Sequence, residues 1–149
     1  MITSGGWITL AFLAATTGQN PPAYSAPAPN HVRWMLHCQG CHGAHGSGMG
    51  SDVPALADQV ARFLSVPGGR SYLIRVPGVT GAPLDDEALA SLVNWMLSTF
   101  DPTHLPEGFR PYAAREIREA REKPLGPEAL GRRSQLMAAI ERKPQRSSR

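Results

Sequence analysis

Cysteine and long apolar runs are both scarce in this sequence. Only two of the 149 residues are cysteine, which excludes the disulfide framework that staples many small secreted domains. No stretch approaches the roughly 20 consecutive apolar residues that a membrane-spanning helix needs. The best candidate, residues 7–15 (Trp-Ile-Thr-Leu-Ala-Phe-Leu-Ala-Ala), has the length of a signal-peptide core. No Lys or Arg precedes it, so the positive flank of a signal peptide is represented only by the amino terminus. Left uncleaved, the run would act as a membrane anchor; no cysteine follows it to carry a lipid.

Positive charge is scarce over most of the chain. The formal balance is +3, yet residues 1–112 hold five basic side chains (Arg33, Arg62, Arg70, Arg75, Arg110) against seven acidic ones, whereas residues 113–149 hold ten basic and five acidic. The first 112 residues offer no phosphate-binding surface, and no nucleic-acid partner is expected. The basic tail suits an acidic partner or an anionic membrane surface, or else a solvated charged extension.

Against this background one stretch stands out: Cys38-Gln39-Gly40-Cys41-His42. Two cysteines three positions apart, followed at once by histidine, read as a site where haem is covalently attached. Each thiol can add across one porphyrin vinyl group, and the histidine beside the second thioether is placed to ligate the iron from the proximal side. A Cys-x-x-Cys pair also serves as a redox dithiol or as half of a zinc site. The first needs a βαβ context, which the flanking sequence does not suggest. The second normally needs another spaced ligand pair; His37 and His45 are the nearest donors.

The flanking sequence reads as helical. Residues 19–29 are a proline-rich spacer. Asn30 is a candidate N-cap for a helix over residues 31–38 with Val32, Met35 and Leu36 as its apolar positions and Trp34 on its flank. Four glycines between Gly43 and Ser51 follow the motif. A second helix is expected from Asp52-Val53-Pro54, with Leu56, Val60, Phe63 and Leu64 as its apolar face, broken at Pro67-Gly68-Gly69. A short third helix covers residues 71–75, and residues 76–84 read as a loop. The clearest helix follows, N-capped by Asp85, with Leu89, Leu92, Val93, Met96, Leu97 and Phe100 in one stripe. Beyond it, residues 112–123 alternate Arg and Glu and read as a solvent-exposed helix, residues 129–141 as a weak one, and residues 143–149 as disordered.

Together, Cys38, Cys41, His42, the glycine loop, Pro54, Leu56 and a closing helix with Trp95 resemble the class I (mitochondrial-type) c-type cytochromes. The resemblance covers residues 30–100. It implies an all-α, cytochrome c-like fold, a small helical domain wrapped around one covalently bound haem c with its iron. It divides the chain into a signal peptide and spacer (residues 1–25), a cytochrome c domain (26–101) and a charged, partly helical or disordered extension (102–149). It further implies that Pro54 offers its carbonyl to His42, that Leu56 packs on the porphyrin, and that the helices carrying Trp34 and Trp95 cross. The implied role is non-enzymatic: an exported, periplasmic carrier of single electrons between redox partners such as a dehydrogenase and an oxidase, or the haem subunit of a redox complex.

One departure from the family opens an alternative. The distal methionine is expected before the last helix, where residues 76–84 contain neither Met nor His. Met35 and Met96 read as core, Met49 as a loop residue able to swing, His31, His37 and His45 as surface, and His104 as too far along the chain. Arg75 reads as a propionate or solvent contact. A five-coordinate haem binding a diatomic gas or peroxide is therefore the second expectation.

Overall fold

The computed structural model describes residues 29–50 and 53–143; the expected signal peptide and most of the proline-rich spacer lie outside them, as do residues 144–149. The chain order is α1 (Asn30–His37), α2 (Gln39–His42), a 3₁₀ helix (Val60–Ser65), α3 (Gly69–Arg75), α4 (Pro77–Thr80), α5 (Asp86–Phe100), a 3₁₀ turn (Pro102–His104), α6 (Ala114–Glu122) and α7 (Ala129–Arg142). Among the described residues there is no strand, only an isolated bridge between Met49 and Val53. No helix among them is long and apolar enough to cross a membrane.

α5 organises the rest. Its cap is the expected one: the Asp85 carboxylate accepts from the Ala88 amide at 2.7 Å, with Asp86 and Glu87 at the positive end of the helix dipole. Its buried side, Leu89, Leu92, Val93, Leu97 and Phe100, faces α1 at one end and α6, the 3₁₀ helix and the 3₁₀ turn elsewhere. α1 crosses it through Trp34, whose ring centroid lies 4.6 Å from that of Phe100 and 6.3 Å from that of Trp95. Asn30 is not the cap of α1. Pro29 holds that position, its carbonyl accepting from Val32 and Arg33, and the Asn30 amide instead donates to the carbonyl and hydroxyl of Ser91 on α5. Met35 and Leu36, expected inside, are 58% and 71% exposed; Trp34 alone carries the buried face of this short helix.

The expected second helix does not form at residues 53–59. Its backbone donors go to distant acceptors: Leu56 and Ala57 both donate to the Gly46 carbonyl, and Asp58, at φ +56°, donates to that of Phe100. Helical hydrogen bonding begins at the Leu56 carbonyl, which accepts from the Gln59 and Val60 amides. Conversely, residues 76–84 are not a plain loop. Pro77 opens the single turn of α4, and the Val76 carbonyl accepts from Val79 and Thr80.

The carboxy-terminal segment packs into the same core. Tyr112, Ile117, Ala120, Leu125, Leu136 and Ile140 are buried together with α3, α5 and the 3₁₀ helix. α6 is thus one-sided rather than fully solvated, and only the Arg115–Glu119 pair follows the expected intrahelical pattern. The other pairs leave the helix: Arg118 and Arg121 reach Asp86 on α5, and Glu116 reaches Arg70 on α3. A stripe of two apolar residues suffices because these ion pairs orient it.

Candidate functional site

The Cys38–His42 motif forms the junction of α1 and α2. Cys38 interrupts the helical path at φ −130°, ψ −38°, and its carbonyl accepts from the amides of Cys41 and His42 at 3.2 and 3.0 Å. One turn therefore presents both sulfurs and the imidazole. Both thiols are free, Cys38 half-buried and Cys41 exposed. Burial, with Cys41 adding to it, pushes the Cys38 thiol above its ordinary pKa, the reverse of the lowered value that marks a redox-active dithiol.

The loop after the motif fixes the imidazole. Gly43, at φ +74°, ends α2. Gly48 donates to the His42 carbonyl, and Met49 and Val53 exchange two backbone bonds of 2.8 and 3.2 Å. Two glycines permit this path. A Cβ on Gly46 would press against the Phe100 ring and Leu56 at 3.2 to 3.3 Å, and one on Gly48 would meet the Val53 carbonyl at 2.4 Å; both residues have positive φ. The loop thereby brings the Pro54 carbonyl 3.3 Å from Nδ1 of His42. With its proton on Nδ1 donated to Pro54, the ring keeps the Nε2 lone pair for a metal. Burial lowers the His42 pKa, with the Pro54 bond opposing it, which favours the neutral ring.

An aromatic wall stands beside this imidazole. The Trp34 ring centroid is 6.1 Å from that of His42. Leu92 and Phe100 complete the buried cluster, with Cys38, Leu56, Leu84, Trp95 and Met96 packed on it. The indole Nε1 of Trp34 is buried without a hydrogen-bond partner. Among the described residues no group of three or more His, Cys, Asp or Glu side chains could cage a metal ion, so the zinc reading has no ligand set. A metal held here receives one imidazole from the chain and needs its other ligands from a macrocycle. Two thiols one turn apart, one free imidazole nitrogen and an apolar aromatic wall fit a flat, covalently tethered haem.

The resemblance is met at Pro54, Trp34 and Trp95, and Leu56 packs on the Trp34 cluster. The Arg75 guanidinium donates to the Lys123 carbonyl and its own carbonyl accepts from Leu125, so it also ties α3 to the tail. His31, His37 and His45 are exposed as expected. Two participants escape sequence reading. Asp101 is fully buried, accepts from the Ala61 amide at 2.8 Å and faces His104 Nδ1 at 2.6 Å, locking the end of α5 to the 3₁₀ helix; its Asp-Pro setting signals only a helix end. Arg121 donates to the carbonyls of Ala82 and Leu84 from a helix that reads as solvated.

An all-α body around a Cys-x-x-Cys-His turn with its imidazole backed by a proline carbonyl defines the c-type cytochromes. No family model matches the chain. It is 33% identical over 111 residues to cytochrome c-552 of Thermus thermophilus, spanning 62% of this chain and 85% of that protein. A second cytochrome c-552, from a particular strain of the same species, gives the same identity over 75% of its length. The chain belongs to the class I mono-haem c-type cytochromes, with a cytochrome c-like fold; its cofactor is one covalently bound haem c with iron, and its class of function is electron transfer to redox partners.

Proposed function

We propose that Cys38 and Cys41 hold the haem through thioethers, that His42 ligates the iron through Nε2, and that the protein is an exported, periplasmic carrier of single electrons between a donor such as a dehydrogenase and an acceptor such as an oxidase, or the haem subunit of such a complex. The observation that supports this best is the 3.3 Å approach of His42 Nδ1 to the Pro54 carbonyl, which orients the ring and leaves the opposite nitrogen free. Haem supplies reversible one-electron chemistry at its iron. The chain's own residues hold and orient it. The Cys38 and Cys41 thiols would hold the haem as thioethers at its two vinyl groups. Pro54 fixes the His42 ring and raises its basicity as a ligand. Trp34, Leu56, Leu92 and Phe100 exclude water from one side, and the exposed Cys41 leaves that edge open to a partner.

Acid-organic extraction tests the attachment. Haem should stay with the polypeptide in the wild type, remain on one thioether at reduced yield in Cys38→Ala, and be absent when both cysteines are replaced; free haem released from the wild type would refute the assignment. Export is supported by the apolar run at residues 7–15. Fractionation of a bacterial host, with amino-terminal sequencing of the mature chain, checks it.

A further inference from the structure

We propose that no side chain among the described residues gives the iron a sixth ligand: the apolar segment 76–84 covers that face, and the open position takes a small exogenous ligand such as CO or cyanide. This rests on attachment through Cys38, Cys41 and His42. In its class the sixth ligand is a methionine from the segment before the last helix. Here that segment offers one side-chain heteroatom, the Thr80 hydroxyl, and it donates to the Val76 carbonyl.

The segment is also held in place. Val76, Val79, Ala82 and Leu84 pack on the main core, and Leu84 on the Trp34 cluster as well. α4 closes it internally, and Arg121 clamps it from outside through the Ala82 and Leu84 carbonyls at 3.0 and 2.7 Å while pairing with Asp86 at 2.7 Å. It cannot be drawn aside to admit a donor without breaking these bonds.

The other donors among the described residues are committed elsewhere. Met49 is held by two backbone bonds to Val53, next to the residue whose carbonyl faces Nδ1 of His42, and its side chain is 58% exposed. Met35 projects 58% exposed from α1. Met96 is wedged between the two clusters of the core, and Met137 packs on the main one from α7. His104 is paired with buried Asp101 and Lys143 with the Ser65 carbonyl. The remaining histidines flank the motif on the surface. Methionine ligation raises the reduction potential and fills the coordination sphere; without it the potential falls and the iron is accessible to a diatomic.

The test uses the full-length haem-loaded protein at pH 7. A pyridine haemochrome assay comes first, and a spectrum lacking covalent haem c would refute the attachment itself. With attachment established, absorption and EPR spectra should show a high-spin ferric iron without a methionine-to-iron charge-transfer band. The dithionite-reduced protein should bind one CO per haem, and the ferric protein one cyanide. A low-spin spectrum with the methionine band and no CO response would overturn the open position. So would a low-spin spectrum that becomes high-spin and CO-reactive in Met49→Leu or Met96→Leu, which would name the internal ligand.

Discussion

Replacing Glu116 by glutamine should loosen the carboxy-terminal helices from the body while leaving the motif untouched. The Glu116 carboxylate, 17% exposed, faces Arg70 through two contacts of 2.9 Å, accepts from Arg110 at 3.2 Å, and closes the start of α6 by accepting from the Ala113 amide at 3.1 Å. The two-pronged bond from Arg70 is the main reason its carboxyl is held down at about 2, against an ordinary 4.5. A carboxylate whose pKa falls on folding stabilises fully above its unfolded value, and the contribution disappears as pH drops toward the folded one. In full, the gap is equivalent to about 3 kcal/mol. Arg110 is 67% exposed and Arg70 28%, so solvent screening reduces this to about 1–2 kcal/mol. Glutamine keeps an acceptor for Ala113 but loses the charge and the second prong. Thermal unfolding at pH 7 should therefore fall by about 3–6 °C in E116Q, with an unchanged Soret band. By pH 3 the wild type has itself lost about half or more of the contribution, and the gap should shrink in proportion. Equal midpoints at pH 7, or a gap as wide at pH 3 as at pH 7, would refute this reasoning.

Two further substitutions probe the same architecture. Ile117 is 1% exposed between α6 and the core, and Ile117→Ala should cost about 2–4 kcal/mol in urea unfolding; a loss below about 0.5 kcal/mol would mean that α6 is peripheral. Asp101→Ala strands the buried Ala61 amide and takes the partner from the half-exposed His104 and should cost about 1–3 kcal/mol by the same measurement, a neutral result arguing that the carboxylate holds nothing.

The legible parts of the chain are those where local chemistry and tertiary need agree. Asp85 caps α5 because a carboxylate before an acidic first turn is good capping chemistry and nothing competes for it. The motif with Pro54 and Leu56 is readable because attachment chemistry constrains those positions tightly. Residues 53–59 resemble a helix because their apolar spacing is helical, while the amides of Leu56, Ala57 and Asp58 are claimed by Gly46 and Phe100, acceptors about 10 and 42 positions away that no helical pattern contains. Asn30 looks like a cap for the same reason, and its true partner is Ser91 on α5.

The basic tail is the least legible part, and its charges take on a different meaning once paired. Arg118 and Arg121 converge on Asp86, Lys143 reaches Ser65, and the Arg133 guanidinium lies 5.9 Å from the Phe63 ring centroid. On the body's side, Arg70 lies 3.9 Å from the ring centroid of Tyr112 as well as bonding Glu116. Charges that bond across elements are partly neutralised and less available to a docking partner than their number suggests. Arg121 adds a second consequence. Through Ala82 and Leu84 it joins the tail to residues 76–84, so the extension and that segment form one mechanical unit.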